Sequence, residues 1–174
     1  MPKIVAVDTD FEDNNLEEAM ARDAGIEFEV THGRTAQAVI DGLLETGADA
    51  AVTSYAMFPR EVFEARSNLK AVSRTGVGYD EIDVEAATEH GVAVCNVPGY
   101  GTEVVSDHAI TLVLSVLRRI NELDADMRRG VWDYARTRPL GQCRGRVFGV
   151  VGMGEIGRAA AKKAAGLGFE VVCW

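Results

Sequence analysis

Glycines at 152, 154 and 157 spell Gly-x-Gly-x-x-Gly within the stretch Gly149-Val-Val-Gly-Met-Gly-Glu-Ile-Gly157. With 18 glycines in 174 residues such a triplet arises by chance, so its surroundings decide its meaning. The run Val147 to Val151 is apolar, rich in β-branched residues and without alternation, which predicts a buried parallel strand. After the glycines, Ile156, Ala159, Ala160, Ala164 and Leu167 recur at helical spacing until Gly166 and Gly168 stop the helix. Strand, glycine turn and helix in that order is the arrangement that holds a dinucleotide. The first glycine permits the tight turn, the second lets the backbone approach a pyrophosphate, and the third lets helix and strand pack closely, while the helix N-terminus offers free N–H groups to the anion.

A second stretch, Ser73-Arg-Thr-Gly-Val-Gly-Tyr-Asp80, pairs two glycines with an arginine. Gly76 and Gly78 bracket a turn whose N–H groups can converge on one anion, and the Arg74 guanidinium is a planar two-pronged donor suited to a carboxylate. Taken alone, a carboxylate pocket and a glycine turn beside a solvated arginine explain these residues equally well.

The elements that must position both stretches alternate along the chain. Lys3–Val7, Ile26–Thr31, Ala48–Val52, Leu69–Ser73 and Val92–Cys95 read as strands. Between them lie helices over Leu16–Arg22, introduced by Asp13-Asn14-Asn15, over 36–44 capped by Thr35, over 59–65, and over Val84–His90 started by Asp83. This order predicts an α/β fold, with a parallel sheet covered by helices on both faces. Pro98-Gly99 marks a boundary. From Thr102 to Arg129 there is no breaker, so one long helix is expected. Its segment Ala109–Leu117 is apolar all round and needs cover on every side, most simply from a second copy of the chain. Gly130–Gly145 reads as irregular, and Phe169–Trp174 as a strand that follows the Gly152 helix. The acid that grips a cofactor ribose is expected about 20 residues past the fingerprint, beyond Trp174. The chain thus reads as holding only the opening β-α-β of a dinucleotide fold, with two strand edges left to pair with another copy.

A net charge of −9 argues against a nucleic-acid surface. The longest apolar run is too short to span a bilayer. Neither a signal-peptide pattern nor Cys-x-x-Cys pairing occurs among Cys95, Cys143 and Cys173, which fits a soluble cytoplasmic protein. Metal-ligand spacing and a Ser-His-Asp arrangement are also absent.

Four segments in order, Arg74-Thr-Gly-Val-Gly-Tyr-Asp-Glu-Ile-Asp83, Cys95-Asn-Val-Pro98, Glu103-Val-Val-Ser-Asp107 and Gly149 to Gly157, resemble the D-isomer-specific 2-hydroxyacid dehydrogenases, most of all their C-terminal-binding-protein branch. The resemblance covers the whole chain. It implies a flavodoxin-like substrate domain over residues 1–100, then a dimerisation helix and the truncated first half of an NAD-binding Rossmann domain over 101–174. By matching position, Gly76, Val77 and Gly78 would hold a substrate carboxylate with Arg74 assisting and Tyr55 facing the pocket. Gly152, Met153, Gly154, Glu155, Ile156 and Gly157 would hold the cofactor, NAD with NADP not excluded. Glu155 departs from the family, where a basic residue is frequent, and its carboxylate would have to point away from a pyrophosphate. The family's catalytic arginine, glutamate and histidine come later in the chain, so no catalytic residue is assigned among His32, His90 and His108. The resemblance therefore implies the N-terminal half of a dehydrogenase that acts on a small 2-hydroxy or 2-keto acid, inactive by itself and homodimeric. An NAD-sensing corepressor-like binding protein and an isolated structural fragment are the alternatives.

Overall fold

Lys3-Ile-Val-Ala-Val-Asp8 has no polar face, so both faces of the strand it forms must be covered. In the computed structural model, which describes residues 1–174, this segment is β1 (Lys3–Asp8), with a parallel strand on either side. With β2 (Glu27–Val30), β3 (Ala50–Thr53), β4 (Ala71–Arg74) and β5 (Ala93–Cys95) it makes a five-stranded parallel sheet in the order β2-β1-β3-β4-β5. That is the flavodoxin-like doubly wound order. The connecting helices are α1 (Asn15–Asp23), α2 (Ala36–Thr46), α3 (Arg60–Ala65) and α4 (Val84–Glu89). Val39, Leu43, Val62, Phe63, Ala86 and Ala87 from α2 to α4 pack with Val5, Val7, Ala51 and Val72 of the sheet into one core. Thr35 and Asp83 cap as expected, their side chains accepting from Ala38 N at 3.3 Å and Ala86 N at 2.9 Å. Asp13-Asn14-Asn15 does not cap as expected: Asn14 makes no side-chain cap bond, and Asp13 Oδ1 instead accepts from Asn15 N at 3.0 Å.

The chain divides into two compact units, Met1–Pro98 and Gly99–Trp174. In the second, β6 (Val147–Val150) and β7 (Glu170–Cys173) pair in parallel and flank α7 (Glu155–Gly166), as the sequence predicts. The expected continuous helix over Thr102–Arg129 is instead two helices, α5 (Thr102–Leu117) and α6 (Ile120–Arg128). The break lies at Arg119, a non-glycine residue in the left-handed region at φ 53°. Its guanidinium donates to Glu122 Oε1 at 2.8 Å and to the Thr137 carbonyl at 3.2 Å, the second a long-range bond with no signature in the local sequence. Thr137 closes a short 3-10 helix, Tyr134–Thr137, inside the segment expected to be irregular.

Burial in this unit is thinner than periodicity predicts. Ile110, Ala164 and Phe169 form its core, with Phe148 meeting Phe169 edge-on at 5.6 Å. The all-round apolar segment of α5 is covered on one side only, and Leu112 and Val116 are exposed. Val147 and Val151, expected in a buried strand, are also exposed, as are Ile156 and Leu167 of the presumed inner face of α7. A two-stranded sheet offers too few neighbours to enclose them.

Lys163 joins α5 to α7, since its Nζ meets Asp107 at 2.6 Å, Ser106 Oγ at 2.7 Å and Glu103 at 2.8 Å. Hydrogen bonding to Asp107 and then Glu103 holds the ammonium above the ordinary lysine value of 10.5. A raised folded-state value means that the stabilisation is complete below the unfolded value and is lost as pH climbs through the folded one. Lys163→Met is therefore expected to lower the urea midpoint of this unit. The gap from wild type should stay constant from neutral pH to 10.5 and close only above it.

Candidate functional site

Parallel pairing puts the C-terminal ends of β1, β3 and β4 on one edge, where open α/β sheets bind ligands. The β1–β3 register shifts between Ala6 and Asp8, which sets Asp8 opposite Thr53, and Thr53 in turn lies opposite Arg74. Bulges of this kind re-aim side chains next to sites. Asp8 is buried, and its two oxygens accept from Tyr55 N at 2.8 Å and Arg34 Nε at 3.1 Å. That fixes the start of the loop after β3. The guanidinium of Arg34 lies 4.9 Å from the centroid of the Tyr55 ring and that of Arg74 lies 5.5 Å from it. Both are within cation–π range.

The Tyr55 ring thus lies beside both guanidiniums. The Arg74 guanidinium has folded onto Gly76, where a Cβ would coincide with Nη1. Gly76 is consequently glycine for the room it leaves, not for a special backbone angle. Arg34 has Asp8 as its ion partner, whereas Arg74 pairs with no carboxylate and its Nε is buried without a hydrogen-bond partner. In the following turn Val97 N donates to the Gly76 carbonyl at 3.0 Å, and Asn96 Nδ2 donates to the Val77 carbonyl at 2.8 Å. Those bonds turn the carbonyls away and leave the N–H groups of Gly76, Val77 and Gly78 without a partner in the chain. Free N–H groups next to an unpaired guanidinium form an anion-binding concavity.

Residues that the motif reading passed over complete this edge. Ser54 Oγ donates to Asp10 Oδ1 at 2.9 Å and lies 2.9 Å from Thr75 Oγ1, and the Tyr55 hydroxyl donates to Asp10 Oδ2 at 3.2 Å. The Ser54 hydrogen bond leads the causes that hold Asp10 below the usual carboxylate range, with Tyr55 and Arg34 adding to it. Asp8, Asp10, Arg34, Ser54 and Thr75 could have been found from the edge rule alone, since each lies at or just after the C-terminal end of a strand.

In the second unit the dinucleotide fingerprint has its expected geometry. Gly152 turns at φ 90°, a conformation that favours glycine. A Cβ on Gly157 would run into the Gly152 carbonyl, so helix and turn touch through the missing side chain. Gly154 caps α7 with open space where its Cβ would be, which leaves the backbone accessible to a ligand. Met153 presents its carbonyl to Arg158 Nη1 at 2.9 Å, and Glu155 and Ile156 open α7, whose first N–H groups are unpaired within the helix. Glu155 Oε2 accepts from Thr102 Oγ1 at 3.3 Å, at the first turn of α5. The carboxylate is therefore engaged with a second helix N-terminus. These residues fit the pyrophosphate of a nicotinamide dinucleotide.

None of the three histidines is organised as an acid–base. His90 Nδ1 meets the Ala86 carbonyl at 2.8 Å at the end of α4, and His32 and His108 are exposed. No group of three or more His, Cys, Asp or Glu is placed to hold a metal ion, and no helix is long and apolar enough to cross a membrane.

The family model for the D-isomer specific 2-hydroxyacid dehydrogenase catalytic domain matches residues 5–169. A glyoxylate reductase from Korarchaeum cryptofilum is 44% identical over 115 residues, covering 64% of this chain and 35% of its own length. An acyclic imino acid reductase solved with NADPH and D-Arg is 25% identical with a TM-score of 0.86, and the match covers 98% of this chain and 55% of that one. The NAD-dependent formate dehydrogenase of Staphylococcus aureus, solved with NAD, is 25% identical with a TM-score of 0.80 and the same coverage, 98% and 55%. The chain thus spans 35% of the reductase relative and 55% of either solved chain.

Two glycine substitutions should separate the two kinds of space. Gly157→Ala meets a backbone carbonyl that cannot move aside, so urea denaturation should register a loss of about 1–3 kcal/mol in the second unit. Gly76→Ala meets only the far end of a flexible side chain, and should cost the first unit less while expelling the Arg74 guanidinium from its seat.

Proposed function

The chain belongs to the D-isomer specific 2-hydroxyacid dehydrogenase family, and from that premise we propose that it carries the substrate-carboxylate wall and the pyrophosphate loop of an NAD-dependent dehydrogenase for a small 2-hydroxy acid. Residues 1–100 act as the substrate-binding domain, and residues 101–174 open the dinucleotide domain. The observation that carries this reading is the Arg74 guanidinium, free of any carboxylate of its own, beside the free N–H groups of Gly76, Val77 and Gly78. A carboxylate seated there accepts from both, and charged hydrogen bonds are the stronger kind. Tyr55 holds the guanidinium from the side through its ring face.

In the second unit Gly152, Met153, Gly154, Glu155, Ile156 and Gly157 bind the pyrophosphate through the turn and the first N–H groups of α7. When bound, the nicotinamide cofactor supplies the hydride that the 2-oxo acid accepts. Pyrophosphate is common to NAD and NADP, so this loop serves either, and NAD is the cofactor we assign. General acid–base catalysis needs a proton carrier within reach of the reacting oxygen. The family resemblance implies a proton carrier outside residues 1–174, and His90, engaged at the end of α4, and His32 and His108, which stand in solvent, offer none in its place. The chain alone then transfers no hydride.

The proposed assembly is a homodimer through α5, whose Val104, Leu112 and Val116 are exposed on one chain. The free edges of β6 and β7 offer a further contact. Sedimentation should show a dimer at micromolar concentration, and a stable monomer would overturn this assembly.

Steady-state kinetics on the whole protein test the site. Arg74→Ala should raise KM for glyoxylate by the factor that corresponds to about 1.5–3 kcal/mol. Adding Gly76→Ala should cost no more than Arg74→Ala alone, because both remove the same guanidinium. Equal KM in wild type and Arg74→Ala, or robust turnover by residues 1–174 alone, would contradict the proposal.

A further inference from the structure

The charges at the β1–β3–β4 edge do not all favour an anion. Arg34 is matched by Asp8 and Arg74 by nothing, while two further carboxylates stand close by: Asp80, whose Oδ2 lies 4.0 Å from where a Gly78 Cβ would be, and Asp10, the one held by the loop that presents Tyr55. Ser54 and Tyr55 each give it a hydrogen bond, at 2.9 Å and 3.2 Å. With Arg34 these bonds favour the ionised form, so the group is a fixed negative charge at neutral pH. Its place is equally fixed. Ser54 Oγ is within hydrogen-bond distance of both Asp10 and Thr75, the residue between Arg74 and Gly76, and the ring of the same Tyr55 that holds Asp10 faces Arg74. Ser54 and Tyr55 therefore tie Asp10 to the strand end that carries Arg74, so the edge offers one unmatched cation and holds a fixed carboxylate on the same network.

We infer that Asp10 is a specificity-determining residue: resting on the function proposed above, it limits the site to monoanionic 2-oxo and 2-hydroxy acids by repelling a second acidic group on the substrate. The first carboxylate of the substrate takes Arg74 and the Gly76–Gly78 N–H groups. A second one, on a dicarboxylic or phosphorylated substrate, has no unmatched cation at this edge and meets the field of Asp10. Building repulsion against the wrong ligand is a common route to selectivity.

The test compares pyruvate with oxaloacetate, which differ by one carboxylate, as kcat/KM ratios on the whole protein. Wild type should prefer pyruvate. Asp10→Asn keeps the shape and removes the charge, and should shift the ratio about tenfold toward oxaloacetate at low ionic strength, the scale of one screened charge pair. Raising the salt concentration should shrink that shift, because an exposed charge is screened within about 10 Å at 0.1 M. Asp10→Glu should restore the preference. A ratio unmoved by Asp10→Asn, a shift insensitive to salt, or a wild type that prefers oxaloacetate would overturn the inference while leaving the dehydrogenase reading intact. Absence of turnover with any 2-oxo acid would instead overturn that reading, and this inference with it.

Discussion

Parallel pairing of β1, β3 and β4 is the constraint on which the candidate carboxylate site rests. Because these strands run the same way, their ends arrive together, and the register lines up Asp8, Thr53 and Arg74 in one row. The irregularity between Ala6 and Asp8 is what brings a buried carboxylate into that row. A buried charge is tolerated only when it is paired and hydrogen-bonded. Asp8 meets that condition by taking the Tyr55 amide and Arg34, and in doing so it fixes the loop that presents Ser54 and Tyr55. The order of causes runs from strand pairing to a buried acid, from the acid to a loop, and from the loop to the aromatic ring beside both guanidiniums.

Glycine serves three distinct physical purposes in the two functional stretches. At Gly152 it allows a left-handed backbone, at φ 90°. At Gly157 it lets a helix touch a carbonyl, and at Gly76 it makes room for the end of the Arg74 side chain. Only the first is conformational. The other two are steric, and they differ in what stands opposite: a carbonyl of the main chain is immovable, whereas a guanidinium can swing away. Identical residues in similar-looking motifs therefore respond differently to the same substitution.

The two units also differ in how completely they bury their apolar residues. In the first, Val5, Val7, Leu43, Phe58, Phe63 and Val72 are essentially removed from solvent. In the second, α5 meets α7 through a small apolar cluster around Ile110 and Ala164 together with polar contacts, Lys163 reaching Glu103, Ser106 and Asp107 across from α7 to α5. Burial contributes roughly 25 cal/mol for each Å² of apolar surface, and the exposed faces of Leu112, Val116, Val147 and Val151 contribute none of it within a single chain.

Much of this was legible in the residue order. Alternation of apolar runs with capped helices determined the α/β class, Thr35 and Asp83 marked their helix starts, and Gly152, Gly154 and Gly157 marked a strand-turn-helix, because each of these is a local preference of the backbone. Local preference could not predict the break at Arg119, since no glycine or proline stands there and the left-handed residue is held by Glu122 and by the distant Thr137 carbonyl. Nor could periodicity decide burial: the pattern of β6 and α7 specifies an apolar face, and only the number of neighbouring strands determines whether that face is covered. The motif at Arg74 named a cation and a glycine turn but left open where the guanidinium points. Its seat on Gly76 is a contact two residues away, but its place beside Tyr55 and the company of Asp8, Asp10 and Arg34 come from residues 19 to 66 positions away, brought together by strand register, and tertiary structure alone decides that.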